Sequence, residues 1–328
     1  MSLTSIFDPV FSASSSLIRS YPLLTTSAGL LLALKFARWI SYRAFWRSAN
    51  AVRGKQFVVT GACGGLGSVV CRRLAEQGAD TIVLWDTRQA TMSSLRAELL
   101  GINPKLQVIT FKVNLLDSKA IRAACCEIFA DSSLSIDVLV CCAGVAFCGL
   151  IGDISEEQDR DMLQTNYLSQ VELIKQFLPY MEKNGKGHIA SVVSMASFSG
   201  GCGMSTYCAS KFALRGFLEG LASELIYRGS PVSLSIFCPG VFDSKLFEGF
   251  EMPFPIIGTL RCSEVADAFI RDSMERRFAM SMYPSYLSPL GPFAVVANVL
   301  GWVLTVPIHV TRRWKSARYV MQSLEKDV

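Results

Sequence analysis

The stretch KQFVVTGACGGLGSVVCRRLAEQG (residues 55–78) passes from an apolar, β-branched run into a glycine cluster and then into residues spaced for one face of a helix. It reads as a strand over KQFVVT, a tight turn, and a helix over 65–78. Gly61 suits the turn, Gly65 lets the backbone approach a pyrophosphate, and Gly67 lets helix and strand pack closely. A phosphate would rest on the helix N-terminus, where free N–H groups and the helix dipole favour an anion. A plain strand-to-helix turn is the alternative reading of the same residues.

Outward from this unit the alternation continues. TIVLW reads as a strand, 89–100 as a helix, LQVITF as a strand, 118–131 as a helix and IDVLVCC as a strand. A long helix over 155–182, the strand GHIASVVS, a helix over 204–228, the strand VSLSIF, a helix over 263–276 and a short strand near 278–283 complete the pattern. Strands that are apolar throughout and separated by helices predict a parallel sheet covered on both faces. The expected fold is a doubly wound, Rossmann-type α/β single domain over residues 55–285. Residues 1–54 form an N-terminal membrane-anchoring segment, and residues 286–328 an apolar and basic C-terminal extension.

In such sheets ligands bind beyond the carboxyl ends of the strands. Asp86, in VLWDTR at the end of the second strand, stands nineteen residues after Gly67. There a carboxylate accepts hydrogen bonds from the ribose hydroxyls of an adenine dinucleotide and repels a 2′-phosphate, which favours NAD over NADP. Arg88 is the counterweight, since an arginine can receive that phosphate; an N-cap on the next helix is the other reading of Asp86. Farther along, STYCASKFALRG (205–216) sets Tyr207 four residues before Lys211, on one face of a helix. A nearby ammonium favours an ionised phenol and would bring Tyr207 toward proton exchange with an alcohol or carbonyl. The bland reading is a half-buried ring beside a solvated charge.

Composition narrows the classes. The chain of 328 residues has eleven cysteines with no C-x-x-C pair and only two histidines, His188 and His309. Buried free thiols in a reducing compartment fit this usage better than disulfides, and a metal site is not expected. The formal charge is +5, and before Glu76 the only acidic residue is Asp8. The basic N-terminal part lacks the dense Lys/Arg run that nucleic acid would require, so membrane lipid is the expected partner and nucleic acid is not. SYPLLTTSAGLLLALKFARW (20–39) is uncharged from Ser20 to Leu34 and is followed by Lys35, Arg38, Trp39, Tyr42 and Trp46, a basic and aromatic border. The uncharged part is shorter than the ~20 residues of a spanning helix, unless Lys35 snorkels. Basic residues after the apolar run argue against a cleaved signal and place the body of the protein in the cytosol. A second uncharged stretch, Phe278 to Thr311, contains Pro289, Pro292 and Pro307. It suits an interfacial or substrate-side element better than a simple span.

Taken together, TGACGGLG (60–67) and YCASK (207–211) resemble the glycine motif and the Y-x-x-x-K motif of the short-chain dehydrogenases/reductases. Ser194, thirteen residues before Tyr207, falls at that family's catalytic serine, and Asn166 in LQTNYLS at its helix-borne asparagine. CPGVFDS (238–244) resembles the family's P-G-x-x-x-T loop, with Ser244 for threonine. The resemblance implies catalytic roles for Asn166, Ser194, Tyr207 and Lys211. Tyr207 would move the hydroxyl proton and Lys211 would lower its pKa and bind the nicotinamide ribose. Ser194 would hold the substrate oxygen, and Asn166 a water that links Lys211 to solvent. It also implies a cofactor site of Gly61, Gly65, Leu66, Gly67, Asp86, Asn114, Leu115, Ala143, Gly144, Tyr207, Lys211, Pro239, Gly240, Val241 and Ser244. Two departures stand out: CCAG (141–144) where the family has N-N-A-G, and Asn114 where it has aspartate.

The anchor and the apolar C-terminal part look most like the membrane-associated retinol dehydrogenase and 17β-hydroxysteroid dehydrogenase branch. That implies an NAD-dependent oxidoreductase acting on a lipophilic alcohol or ketone (retinoid, steroid or long-chain lipid). The expected location is endoplasmic reticulum or lipid droplet, with the catalytic domain facing the cytosol. The loop FEGFEMPFPIIG (247–258) would form an apolar lid or pack on the C-terminal helix. A homodimer through the helices at 155–182 and 204–228 is implied by the family. The alternatives are an NADP-dependent ketone reductase of lipid synthesis and a non-catalytic, membrane-tethered dinucleotide-binding protein.

Overall fold

Seven strands form one parallel sheet in the computed structural model, which describes residues 51–244, 246, 259–274 and 278–283. In chain order they are β1 (Gln56–Thr60), β2 (Thr81–Asp86), β3 (Gln107–Lys112), β4 (Val138–Cys141), β5 (Gly187–Val192), β6 (Val232–Pro239) and β7 (Phe278–Tyr283). Their spatial order is β3-β2-β1-β4-β5-β6-β7. Residues 1–50 of the membrane-anchoring segment, the loop at 247–258 and the C-terminal extension lie outside the described residues. Among the described residues no helix is long and apolar enough to cross a membrane.

β1, β2 and β4 are buried along nearly their whole length, because helices cover both faces of the sheet. On one face, α1 (Gly65–Glu76), α2 (Gln89–Ile102) and α7 (Cys262–Ser273) contribute Val70, Leu74, Leu99 and Phe269 to a core against Phe57, Val59 and Leu84. On the other, α3 (Ser118–Ala130), α5 (Ser169–Lys183) and α6 (Ser205–Tyr227) contribute Ile121, Phe177 and Leu218 against Val58, Val83 and Leu139. Successive strand residues point to opposite faces, so the run Phe57-Val58-Val59 serves both cores. Each such fully buried side chain contributes roughly 1.5–3 kcal/mol over its exposed state.

The long helix expected over 155–182 is interrupted. α4 (Glu156–Leu163) starts with a capping box, Ser155 Oγ accepting from Gln158 N and Gln158 Oε1 from Ser155 N. A π turn over Gln164–Leu168 follows, and α5 resumes at Ser169, whose N–H donates to the Gln164 carbonyl five residues back. Asn166 sits in that turn, and its side chain is bonded outside the helix. The strand expected to run to Ser194 ends at Val192, and β6 extends two residues past the expected VSLSIF, to Pro239. The strand order reverses between β1 and β4, which run parallel, and the connections leave to opposite sides. A crevice opens there at the carboxyl ends of the strands.

Candidate active site

The crevice is a cavity of about 830 Å³. Every residue expected at the site lines it except Asn166 and Val241. Asn166 acts from behind the wall, and Val241 pairs its carbonyl with Leu260 N at 3.0 Å.

The glycine turn is shaped by close approach. Gly61 has φ 65, and a Cβ there would stand 2.7 Å from Ala143 Cα. A Cβ on Gly67 would meet the Gly61 carbonyl oxygen at 2.1 Å. Only glycine permits either contact. Helix α1 begins after Gly64 with no side-chain cap and no acidic residue in its first turn, so its N-terminal N–H groups open toward the cavity. Thr60 Oγ1 donates to the Val140 carbonyl at 3.4 Å and accepts from Cys142 N and Ala143 N at 3.2 and 3.3 Å. The threonine thereby ties β1 to the turn that carries cysteines in place of the family's asparagines. Burial pushes the Cys141 and Cys142 thiols up to about 12, so both remain protonated. All eleven cysteines are free, with Cys126 and Cys202 exposed.

Asp86 ends β2 with its carboxylate engaged on both oxygens. Oδ2 accepts from Cys63 N at 3.0 Å and Arg88 Nη2 at 3.2 Å, and Oδ1 from Arg88 N at 3.1 Å and Arg88 Nε at 3.0 Å. Burial opposes ionisation, but the Arg88 and Cys63 bonds outweigh it and hold the carboxyl below its ordinary range. Asp86 is not the cap of α2, whose N-cap is Arg88. Asn114 Oδ1 accepts from Leu116 N at 3.0 Å and closes its own turn after β3.

Ser194, Tyr207 and Lys211 converge at the other end of the cavity. Tyr207 and Lys211 lie one turn apart on α6, only 2 % and 4 % exposed, with Lys211 Nζ 5.9 Å from the centre of the Tyr207 ring. Lys211 Nζ donates to the Val192 carbonyl at 3.4 Å. The Ser194 side chain hydrogen-bonds the Tyr207 side chain, and its Oγ accepts from Ala196 N at 3.1 Å. Burial raises the Tyr207 pKa well above 10 despite the Ser194 bond, and lowers Lys211 to about 8. Enclosure penalises the charged form of each group, and on Tyr207 it outweighs the Ser194 bond.

Asn166 is fully buried. Its Oδ1 accepts from Val145 N at 2.8 Å, while Nδ2 donates to the Val145 carbonyl at 2.9 Å and to Ser210 Oγ at 3.0 Å. Its side chain is thus a clamp between the β4 turn and α6. A Cβ on Gly144 would lie 3.3 Å from Asn166 Oδ1 and 3.5 Å from Lys211 Nζ, which explains the small residue there. The sequence reading missed Thr60, the Cys63 N–H and Ser210. Of these only Ser210 carried a signal, from its place inside YCASK. Around Tyr207, Met162, Met204 and Cys208 form a small core with Phe147, Cys148 and Ile154 packed on it.

Residues 55–252 match the family model described as short chain dehydrogenase. The chain belongs to the short-chain dehydrogenase family. This short-chain dehydrogenase is 30% identical over 229 residues to dehydrogenase/reductase SDR family member 7B of Bos taurus, covering 69% of this chain and 67% of that protein. It is 31% identical over 220 residues to dehydrogenase/reductase SDR family member 7 of Homo sapiens, covering 66% and 62%. The match thus spans about two thirds of these relatives' length. Among solved structures, the fold is shared with a short-chain dehydrogenase from Sphingobium yanoikuyae in complex with NADPH. That likeness has TM-score 0.66 and 22% identity, over 76% of this chain and 95% of that one. A short chain dehydrogenase/reductase from Burkholderia phymatum in complex with NAD is also similar, with TM-score 0.64 and 20% identity over 73% and 92%.

Proposed function

We propose that the protein is a nicotinamide-dependent oxidoreductase that interconverts a lipophilic alcohol and its carbonyl compound at a membrane, with NAD favoured. The observation that carries this reading is the meeting of Ser194, Tyr207 and Lys211 in one glycine-rimmed cavity. The family assignment and the NADPH and NAD held by the two similar folds support the cofactor class. The residues present suit a dinucleotide: α1 opens uncapped onto the cavity, and Ser244 Oγ lies buried there without a hydrogen-bond partner among the described residues. When bound, the nicotinamide supplies the redox half of the chemistry. Gly61, Gly65 and Gly67 would admit the pyrophosphate, Asp86 would take the adenosine ribose, and Lys211 the second ribose. Ser194 would orient the substrate oxygen while Tyr207 holds or gives its proton. The apolar side chains packed around Tyr207 support an apolar substrate. The apolar stretch at 20–34 with its basic and aromatic border supports attachment to lipid, at the endoplasmic reticulum or a lipid droplet.

A second reading, NADP-dependent ketone reduction, draws on two observations. Arg88 compensates the Asp86 charge that would repel a 2′-phosphate, and a phenol held protonated is a proton donor, as carbonyl reduction requires. Turnover of detergent-solubilised full-length protein on retinol, testosterone and a long-chain secondary alcohol, and on the matching carbonyl compounds, tests both. NAD-linked oxidation that is lost in Tyr207→Phe supports the first reading, and NADP-linked reduction the second. Cofactor binding without any turnover would leave a membrane-tethered binding protein.

A further inference from the structure

Ser244 reaches the cavity from a piece of chain, residues 240–244, that follows β6 and belongs to no helix and to none of the seven strands. It stands against the glycine turn: Ser244 Cβ is 3.1 Å from where a Cβ on Gly65 would lie. Its hydroxyl is buried and has no hydrogen-bond partner among the described residues. A buried hydroxyl beside the first turn of α1 is suited to a polar ligand, so whatever fixes this piece of chain bears on binding.

The hold comes from the start of α7. Leu260 N donates to the Val241 carbonyl and Asp243 N to the Leu260 carbonyl, both at 3.0 Å, with Phe242 and Leu260 paired as a parallel bridge. Phe242 is buried in the core that α1 and α7 share, and Leu260 packs on the same core. Asp243 completes the pairing with its side chain: Oδ1 accepts from Cys262 N, the first N–H of α7 and nineteen residues away. The N-cap residue of α7 is Arg261, whose side chain makes no cap bond, so the carboxylate of Asp243 does the capping instead. A negative charge is also well placed at that end of a helix. The helix so capped is tied to α1, with Arg73 Nε donating to Asp267 Oδ1 at 2.7 Å and Val70 and Leu74 in one core with Val265 and Phe269. Helix α7 is therefore a strut between two walls of the crevice, α1 with Gly65 on one side and the chain ending in Asp243 and Ser244 on the other.

We propose that Asp243 is a positioning residue for the cofactor: by capping α7 it fixes the chain that carries Ser244 across the crevice from Gly65. The inference rests on the dinucleotide binding in the oxidoreductase reading above. Asp243 itself does not line the cavity, and within CPGVFDS it occupies one of the motif's free positions, so nothing in the sequence marked it.

The test is fluorescence titration of full-length, detergent-solubilised protein with NADH and with NADPH. The variants are Asp243→Ala, Asp243→Asn, Ser244→Ala and the Asp243→Ala/Ser244→Ala pair, compared on the cofactor that wild type binds more tightly. Asp243→Ala is expected to raise Kd about fivefold, the worth of one helix cap. Asp243→Asn keeps an acceptor for the Cys262 N–H and is expected to stay within about twofold of wild type. Both variants remove the same charge, so the difference between them isolates the cap bond. In the Ser244→Ala background, Asp243→Ala is expected to change Kd by less than about twofold, because the group it places is gone. Should Asp243→Ala fail to fold, Asp243→Leu, of similar size and without an acceptor, makes the same comparison with Asp243→Asn. A wild-type Kd in Asp243→Ala overturns the inference. So does an equal loss from Asp243→Ala with and without Ser244, which would mark a loosened α7 and no placement of Ser244. A wild type that binds neither NADH nor NADPH overturns the oxidoreductase reading and the inference with it.

Discussion

Arg88 holds Asp86 with its main chain and its side chain together: the backbone N–H and Nε bond Oδ1, and Nη2 bonds Oδ2. The arginine side chain is 54 % exposed and its partner 5 %. The guanidinium can therefore leave while the carboxylate stays. Cofactor choice then depends on which of the two faces the adenosine ribose. Arg88→Ala is expected to sharpen preference for NAD by about tenfold and Asp86→Ala to shift it toward NADP, each on the order of one charge-assisted bond. Titration of both cofactors by fluorescence reads this directly, and an unchanged ratio in both variants would refute it.

Asn166 bridges Val145 and Ser210 with three hydrogen bonds in a fully buried setting. Asn166→Ala leaves the Val145 N–H and carbonyl without those bonds, at about 1–3 kcal/mol for each buried group. A loss of stability of about 2–4 kcal/mol in urea unfolding is the expected outcome. Asn166→Asp keeps the acceptor but sets a buried carboxylate oxygen against the Val145 carbonyl, and should destabilise at least as much as alanine.

Lys211 illustrates a charge kept at a cost to stability. Burial lowers its pKa from 10.5 to about 8. Below pH 8 both folded and unfolded chains carry the ammonium, and the folded one bears a penalty on the order of 3 kcal/mol. Between pH 8 and 10.5 the unfolded chain binds more protons, so this penalty is relieved as pH rises. Lys211→Met is thus expected to melt higher than wild type at pH 7, with the gap closing toward pH 10.5, and to lose turnover. Melting curves across that range check it, and a gap independent of pH would contradict it.

His188 behaves in the opposite part of the scale. Burial lowers its pKa to about 4, and Nδ1 is 2.7 Å from Ser233 Oγ. The unfolded chain takes up a proton near pH 6.5 that the folded chain refuses until about 4. Stability is expected to fall as pH drops through that window, by up to about 3 kcal/mol. In His188→Leu that part of the acid slope should disappear, as read by urea midpoints at several pH values.

Much of this protein is written locally. The apolar runs of β1, β2 and β4 with helices between them predict a parallel sheet, because burial on both faces demands apolar residues at both parities. The glycine spacing at Gly61, Gly65 and Gly67, and the four-residue step from Tyr207 to Lys211, are short-range geometries that a strand, a turn or a helix imposes wherever it occurs. These positions meet in the cavity for that reason.

What the chain alone determined was therefore the order of elements, the doubly wound sheet and the set of side chains delivered to one end of it. The tertiary structure decided what those side chains experience. The break between α4 and α5 depends on Asn166 reaching Val145, twenty-one residues away. The titration of Tyr207 and Lys211 follows from how completely they are enclosed. Spacing along a chain sets which residues share a face, but desolvation and hydrogen bonding depend on neighbours brought from elsewhere in the fold.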